Sequence, residues 1–193
     1  NQLFRSKQPN IILVEIDALR PDHLGCYGYA RKTSPHLDDF AQKSSVFLNA
    51  YTPAAWTIPS NYSLLTSLYP QQHCMLSWDA VLDAKIPTLL VELHKQGYAI
   101  GIFGNQDLFL RHIQKNLGDV VDMLKITSDI FLATQESLRW AKDQRTPFFL
   151  WVYYLDPHRP YTPPSPHDKL FSFEAKRSLP IRETAESYEG GWD

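Results

Sequence analysis

A short aliphatic run, Asn10-Ile-Ile-Leu-Val-Glu-Ile16, ends on Asp17. Its length and β-branched content fit a buried strand of a parallel sheet. An acid at the carboxyl end of such a strand projects into the crevice where open α/β sheets bind ligands. A second run, Phe148-Phe-Leu-Trp-Val-Tyr-Tyr154, reads as another strand. The loop at 156–166 carries prolines at 157, 160, 163, 164 and 166, so it leaves that strand end in extended form. Asp17 and this loop are expected side by side.

Strand and helix signals alternate between the two runs. Ser34 and Pro35 start a helix expected to reach Gln42, 46–50 reads as a short strand, and 59–67 as a helix. Thr88 caps a helix whose Leu89, Leu90 and Leu93 share a face and whose end is marked by Gly97; a strand follows at 98–103. Helices are expected over 106–117 and 128–143, with a short strand at 120–124 between them. The alternation predicts an α/β fold, a largely parallel sheet with helices on both faces. The charged stretch 169–189 has no apolar stripe and reads as a solvated helix or a partly disordered tail.

Thr57 stands two residues before Pro59, and proline is favoured in the first turn of a helix. Thr57 and Ile58 are therefore expected at the helix entrance, where free N–H groups and the positive dipole end favour an anion. A threonine hydroxyl is a weak nucleophile at neutral pH. A divalent cation held partly by Asp17 would activate it by favouring the alkoxide. Read one at a time, Thr57 could be only a cap and Asp17 only a turn residue. Together they point to hydrolysis or transfer of a charged ester.

Four segments then carry a family resemblance. Asp17-Ala-Leu-Arg-Pro-Asp-His-Leu-Gly-Cys-Tyr-Gly-Tyr29, Thr33-Ser-Pro-His-Leu-Asp-Asp-Phe40, the stretch from Trp56 through Thr57, Pro59 and Ser60 to Pro70, and Tyr154-Leu-Asp-Pro-His-Arg-Pro-Tyr161 resemble, in order, the signatures of the sulfatase branch of the alkaline phosphatase superfamily. The resemblance implies an alkaline-phosphatase-like fold, with 1–193 as the N-terminal portion of one catalytic domain. It implies Asp17 as a metal ligand, Thr57 as nucleophile and second metal contact, and His158 as a contact to the substrate's anionic group or leaving oxygen. Asp156, in the same motif, ranks below His158. Asn61 and Asn105 occupy substrate-side positions.

The departures narrow that reading. Sulfatases of this type carry Cys or Ser at the position of Thr57, followed by Pro-Ser-Arg, and convert it to formylglycine. Here the residue is Thr and the arginine position holds Asn61, so no formylglycine is expected. The resemblance then extends to relatives in which threonine forms a phosphoenzyme, including nucleotide pyrophosphatases and phosphoethanolamine transferases. The lysine and histidine expected after Gly104 are replaced by Asn105-Gln106-Asp107. The family's second metal motif, Asp followed by His or Asn, has no counterpart in the chain, so the remaining part of the catalytic domain is expected beyond Asp193.

At 193 residues and 44% apolar content the chain can bury the core of one domain or most of one. A net charge of −2 provides no long-range attraction for nucleic acid or an anionic membrane, so anion binding must be local. The two cysteines, Cys26 and Cys74, do not make a disulfide framework, and no apolar segment has membrane-spanning length. Three readings follow. One is a metal-dependent hydrolase of a small sulfate or phosphate ester. Another is a transferase or phosphodiesterase using the same Thr57, and the third is a catalytically incomplete binding module. Calcium, manganese and zinc all remain open as the cation, one or two per site.

Overall fold

In the computed structural model, which describes residues 8–171, strand β1 (Ile11–Ile16) follows directly on Asn10. Helices α1 (Pro35–Ala41), α2 (Thr57–Thr66), α3 (Pro70–His73) and α4 (Leu89–Lys95) come before strand β2 (Ala99–Gly104). Helix α5 (Asp107–Leu117), strand β3 (Met123–Ile126), helix α6 (Ile130–Asp143) and strand β4 (Phe148–Tyr154) complete the order. The strands form one sheet in the order β1-β4-β2-β3, with every pair parallel. The two runs singled out in the sequence are thus neighbours, Ile11 opposite Phe149 and Ile16 opposite Tyr154.

Side chains alternate across a strand, so β4 serves two cores. Phe149, Trp151 and Tyr153 pack with Ile58, Tyr62 and Leu65 of α2, Leu90 of α4 and Phe109 and Ile113 of α5. Phe148, Leu150 and Val152 face the other way, against Trp140 and Ala141 of α6. Helices therefore cover both faces of β4, as the alternating pattern predicts, whereas β1 lies at the sheet edge with Ile12 and Val14 more than half exposed, so it is not the fully buried strand expected. Trp151 and Ile58 are completely buried.

Several boundaries differ from the sequence reading. The expected strand at 46–50 does not form; Phe47 and Leu48 are more than 70% exposed. Apolar content alone cannot make a strand that has no ladder partner among the described residues. The strand expected at 120–124 starts at Met123, because Gly118–Val120 closes a 3-10 turn first. Helix α2 begins at Thr57 rather than Pro59, and α6 at Ile130, where Asp129 accepts from the Phe131 and Leu132 N–H groups. Thr88 caps α4 as expected, accepting from Val91 N–H at 3.2 Å, and Gly97 follows in the left-handed region at φ 84°. Ser34 makes no cap bond; its hydroxyl accepts from Gly25 N–H and donates to the Asp38 carboxylate.

The chain divides into two compact units, one ending at His158 and one beginning at Arg159. In the second, the described residues hold a 3-10 turn, His167–Lys169, and cis peptide bonds before Pro160 and Pro166. The tail expected over 169–189 lies outside the described residues from position 172 onward.

Candidate active site

The parallel pairing of β1 with β4 carries Asp17 to the carboxyl edge of the sheet, where its N–H donates to Tyr154 O at 2.8 Å. The chain turns at once through Ala18, held at φ 56°, a left-handed conformation that costs an L-residue about 1–2 kcal/mol. Asp17 Oδ2 accepts from the Tyr153 hydroxyl at 3.0 Å. Burial, followed by the charges of Glu15 and Asp17, pushes the Tyr153 phenol above its ordinary range, so its proton stays in place as a donor. The Thr57 side chain lies beside this phenol and has the opposite effect on it.

Thr57 is the first residue of α2, after the N-cap Trp56, which is extended and makes no side-chain cap bond. It sits within the first turn, where backbone N–H groups lack intrahelical partners and the dipole is positive. Asp17, Thr57, Asn61, Tyr153 and His158 all line one open crevice of about 1300 Å³. His158 is reached by a tight turn in which its N–H donates to Leu155 O at 2.8 Å.

Asn61 is 3% exposed, and its Nδ2 donates to Thr57 O at 3.0 Å. Its amide nitrogen therefore binds the helix's own first turn. Asn105 stands apart from the residues lining the crevice. Its Oδ1 accepts from Leu155 N–H at 2.8 Å and its Nδ2 donates to Asp156 Oδ2 at 3.0 Å, which ties the end of β2 to the loop after β4. Both Asn105 and Asp156 are engaged with each other.

Glu15 and Tyr153 were not singled out by sequence reasoning. A signal existed for each: a lone acid in an aliphatic run, and a phenol two residues after Trp151 on the same strand face. Glu15 lies opposite Tyr153 in the β1–β4 register and also lines the crevice. Burial pushes its carboxyl up to about 7, more than hydrogen bonding to Asn61 and Trp151 pulls it down. Ser63 and His73, 3.0 Å apart, look like a nucleophile and its base. The neutral His73 ring accepts from Met75 N–H at Nδ1, so its proton is on Nε2 and it donates to Ser63. That pair cannot activate the serine.

Asp17 and Thr57 offer the oxygen donors that hard cations take. They fit part of a coordination shell. Among the described residues no group of three or more His, Cys, Asp or Glu side chains could hold a metal ion.

The family described as Sulfatase matches residues 9–184. The chain belongs to the sulfatase family. This sulfatase-family chain is 34% identical over 110 residues to N-acetylgalactosamine-6-O-sulfatase of Bacteroides thetaiotaomicron, a stretch covering 54% of this chain and 22% of that protein. It is 27% identical over 209 residues to iduronate 2-sulfatase of Mus musculus, covering 86% of this chain and 38% of the relative. It thus spans well under half the length of either. The phosphonate monoester hydrolase of Agrobacterium radiobacter shares the fold, with a TM-score of 0.71 and 21% identity over 82% of this chain and 43% of that one. The parallel sheet and its helices are those of sulfatase-like proteins.

Proposed function

We propose that the whole protein hydrolyses a small sulfate or phosphate ester, with Thr57 as nucleophile. The observation that carries this is the convergence of the Thr57 and Asp17 side chains on the Tyr153 hydroxyl, in the first turn of a helix that opens on the crevice. Thr57 Oγ forms a bond to sulfur or phosphorus as the bond to the leaving oxygen breaks; water then releases the threonine ester. His158 orients the anionic group or the leaving oxygen, and the free N–H groups of the first turn of α2 favour the charge. Sulfatases in general use a divalent metal. Bound at Asp17 and Thr57, a calcium, manganese or zinc ion would supply Lewis-acid charge and favour the alkoxide. With threonine at position 57, no formylglycine is formed.

The same hydroxyl suits transfer of a phospho-substituent to an acceptor other than water, and product analysis separates the two. The catalytically incomplete alternative draws on the partial metal site among the described residues. We therefore expect the 193 residues alone to bind these cations weakly and to be inactive, with the remaining ligands supplied by further catalytic-domain sequence. The test is an assay of the full-length protein on paired aryl sulfate, phosphate monoester and phosphodiester substrates across the three metals, beside Thr57→Ala. Turnover that survives in Thr57→Ala at the wild-type rate overturns the reading.

A further inference from the structure

Three buried polar atoms sit together directly behind the proposed nucleophile. Glu15 Oε2, Asn61 Oδ1 and Trp151 Nε1 are enclosed, and none has a hydrogen-bond partner of acceptable geometry. An isolated group of this kind costs about 1–3 kcal/mol, so three adjacent ones are expected to satisfy one another through small side-chain shifts or a shared water. Asn61 and Trp151 both act on the Glu15 carboxyl, opposing the effect of its burial, so the three are neighbours in one cluster.

The cluster spans three elements. Glu15 is on β1, Trp151 on β4 and Asn61 on α2, and the register sets Leu13 opposite Trp151 and Glu15 opposite Tyr153. Glu15 is on the strand and Asp17 follows its end two residues on, at most about 6.6 Å of rise. Asn61 and Thr57 are four residues apart on one face of the helix, about 6 Å of rise. The two spacings match. One rung of the sheet–helix contact joins Glu15 to Asn61, and the next brings Asp17 to Thr57 through the Tyr153 hydroxyl. The Asn61 side chain also holds Thr57 O directly, at 3.0 Å.

We propose that Glu15 and Asn61 are positioning residues, a buried polar rung that sets the register of α2 on the sheet and so holds Thr57 against Asp17. This rests on the reading of Thr57 as nucleophile. An apolar pair would pack here without specifying which turn of α2 meets which residue of β1. A polar rung penalises a slipped helix, because each partner would then be buried and unpaired. Glu15 therefore acts through Thr57 and does not itself touch the ester.

The test uses the full-length protein and whichever of the three ester probes the wild type turns over. Glu15→Leu is expected to lower kcat about 10–100-fold, the scale of a displacement near 1 Å, while KM stays within about threefold. Glu15→Gln keeps the shape and the hydrogen bonds and restores most of kcat. Hydrogen exchange supplies a readout independent of chemistry: peptides covering 57–66 should exchange faster in Glu15→Leu and return to the wild-type rate in Glu15→Gln. A folded Glu15→Leu protein with wild-type kcat or unchanged exchange overturns the proposal. So does a folded Glu15→Gln protein as impaired as Glu15→Leu, since charge rather than register would then be the requirement. If Glu15→Leu does not fold, Asn61→Ala replaces it with the same expectations and the same overturning results. Wild-type turnover in Thr57→Ala counts against the nucleophile reading alone, and the exchange measurement then decides the rung.

Discussion

Tyr153 donates its hydroxyl to Asp17 Oδ2 at 3.0 Å, although 136 positions separate the two residues. The bond exists because β4 is laid parallel beside β1, which puts consecutive strand ends at one edge. It fixes the Asp17 carboxylate through a neutral donor.

Tyr153→Phe removes that donor and keeps the ring. A hydrogen bond to a charged group contributes about 1.5–3 kcal/mol, so a fall of about 10–100-fold in kcat/KM is expected. Steady-state kinetics of the full-length variant check this, with wild-type kinetics as the contrary result.

Thr57→Ala is expected to lower turnover by at least about 10³-fold, the scale of losing a catalytic nucleophile. Stability should change by less than about 2 kcal/mol, the upper end for losing a hydroxyl at a helix entrance. Thr57→Ser, which keeps a hydroxyl, should retain part of the activity. Kinetics paired with denaturant unfolding separate loss of chemistry from loss of fold.

Glu15 titrates near 7 in the folded chain against an ordinary 4.5. Between those values the folded state holds a proton that the unfolded state has released, so stability falls as pH rises from 4.5 to 7. The shift corresponds to on the order of 3 kcal/mol, fully present below pH 4.5 and lost above 7. Burial lowers the pKa values of His73 and His112, which gives an opposing slope as pH falls. Comparing wild type with Glu15→Gln cancels the histidines. Urea unfolding across this range should show the two proteins diverging as pH rises, with Glu15→Gln the more stable at pH 8; parallel curves would contradict the assignment.

Gly104→Ala should destabilise the chain by about 1–3 kcal/mol, the usual cost of overpacking. A Cβ there would run into Tyr153 O and come within 3.1 Å of Leu110 Cδ1 and Tyr153 Cβ. Because Tyr153 also holds Asp17, the whole protein should lose activity as well as stability. A lower urea midpoint at unchanged slope is the expected signature.

Much of this molecule was legible in the chain. The aliphatic run before Asp17 and the apolar run at 148–154 were recognisable as strands from their short, β-branched and aromatic composition, though only 148–154 is buried on both faces; Ile12 and Val14 of β1 are exposed at the sheet edge. Thr57 could be placed at a helix start because Pro59 is favourable in the first turn. His158 could be placed near Asp17 because both follow strand ends. The 46–50 segment misled, since hydrophobicity there reports apolar surface and not a ladder partner.

The sequence by itself determined the fold class and which residues close the strands, because those depend on local periodicity and on backbone limits at proline and glycine. Only the tertiary structure decided which groups meet. The pairing of β1 with β4 put Tyr153 on Asp17, and the packing of α2 put Asn61 beside Glu15. It also engaged Asn105 with Asp156 and Leu155, away from the crevice lining. Such contacts arise from strand order and helix register, which are set by the burial of the whole core and leave no pattern in any short stretch of residues.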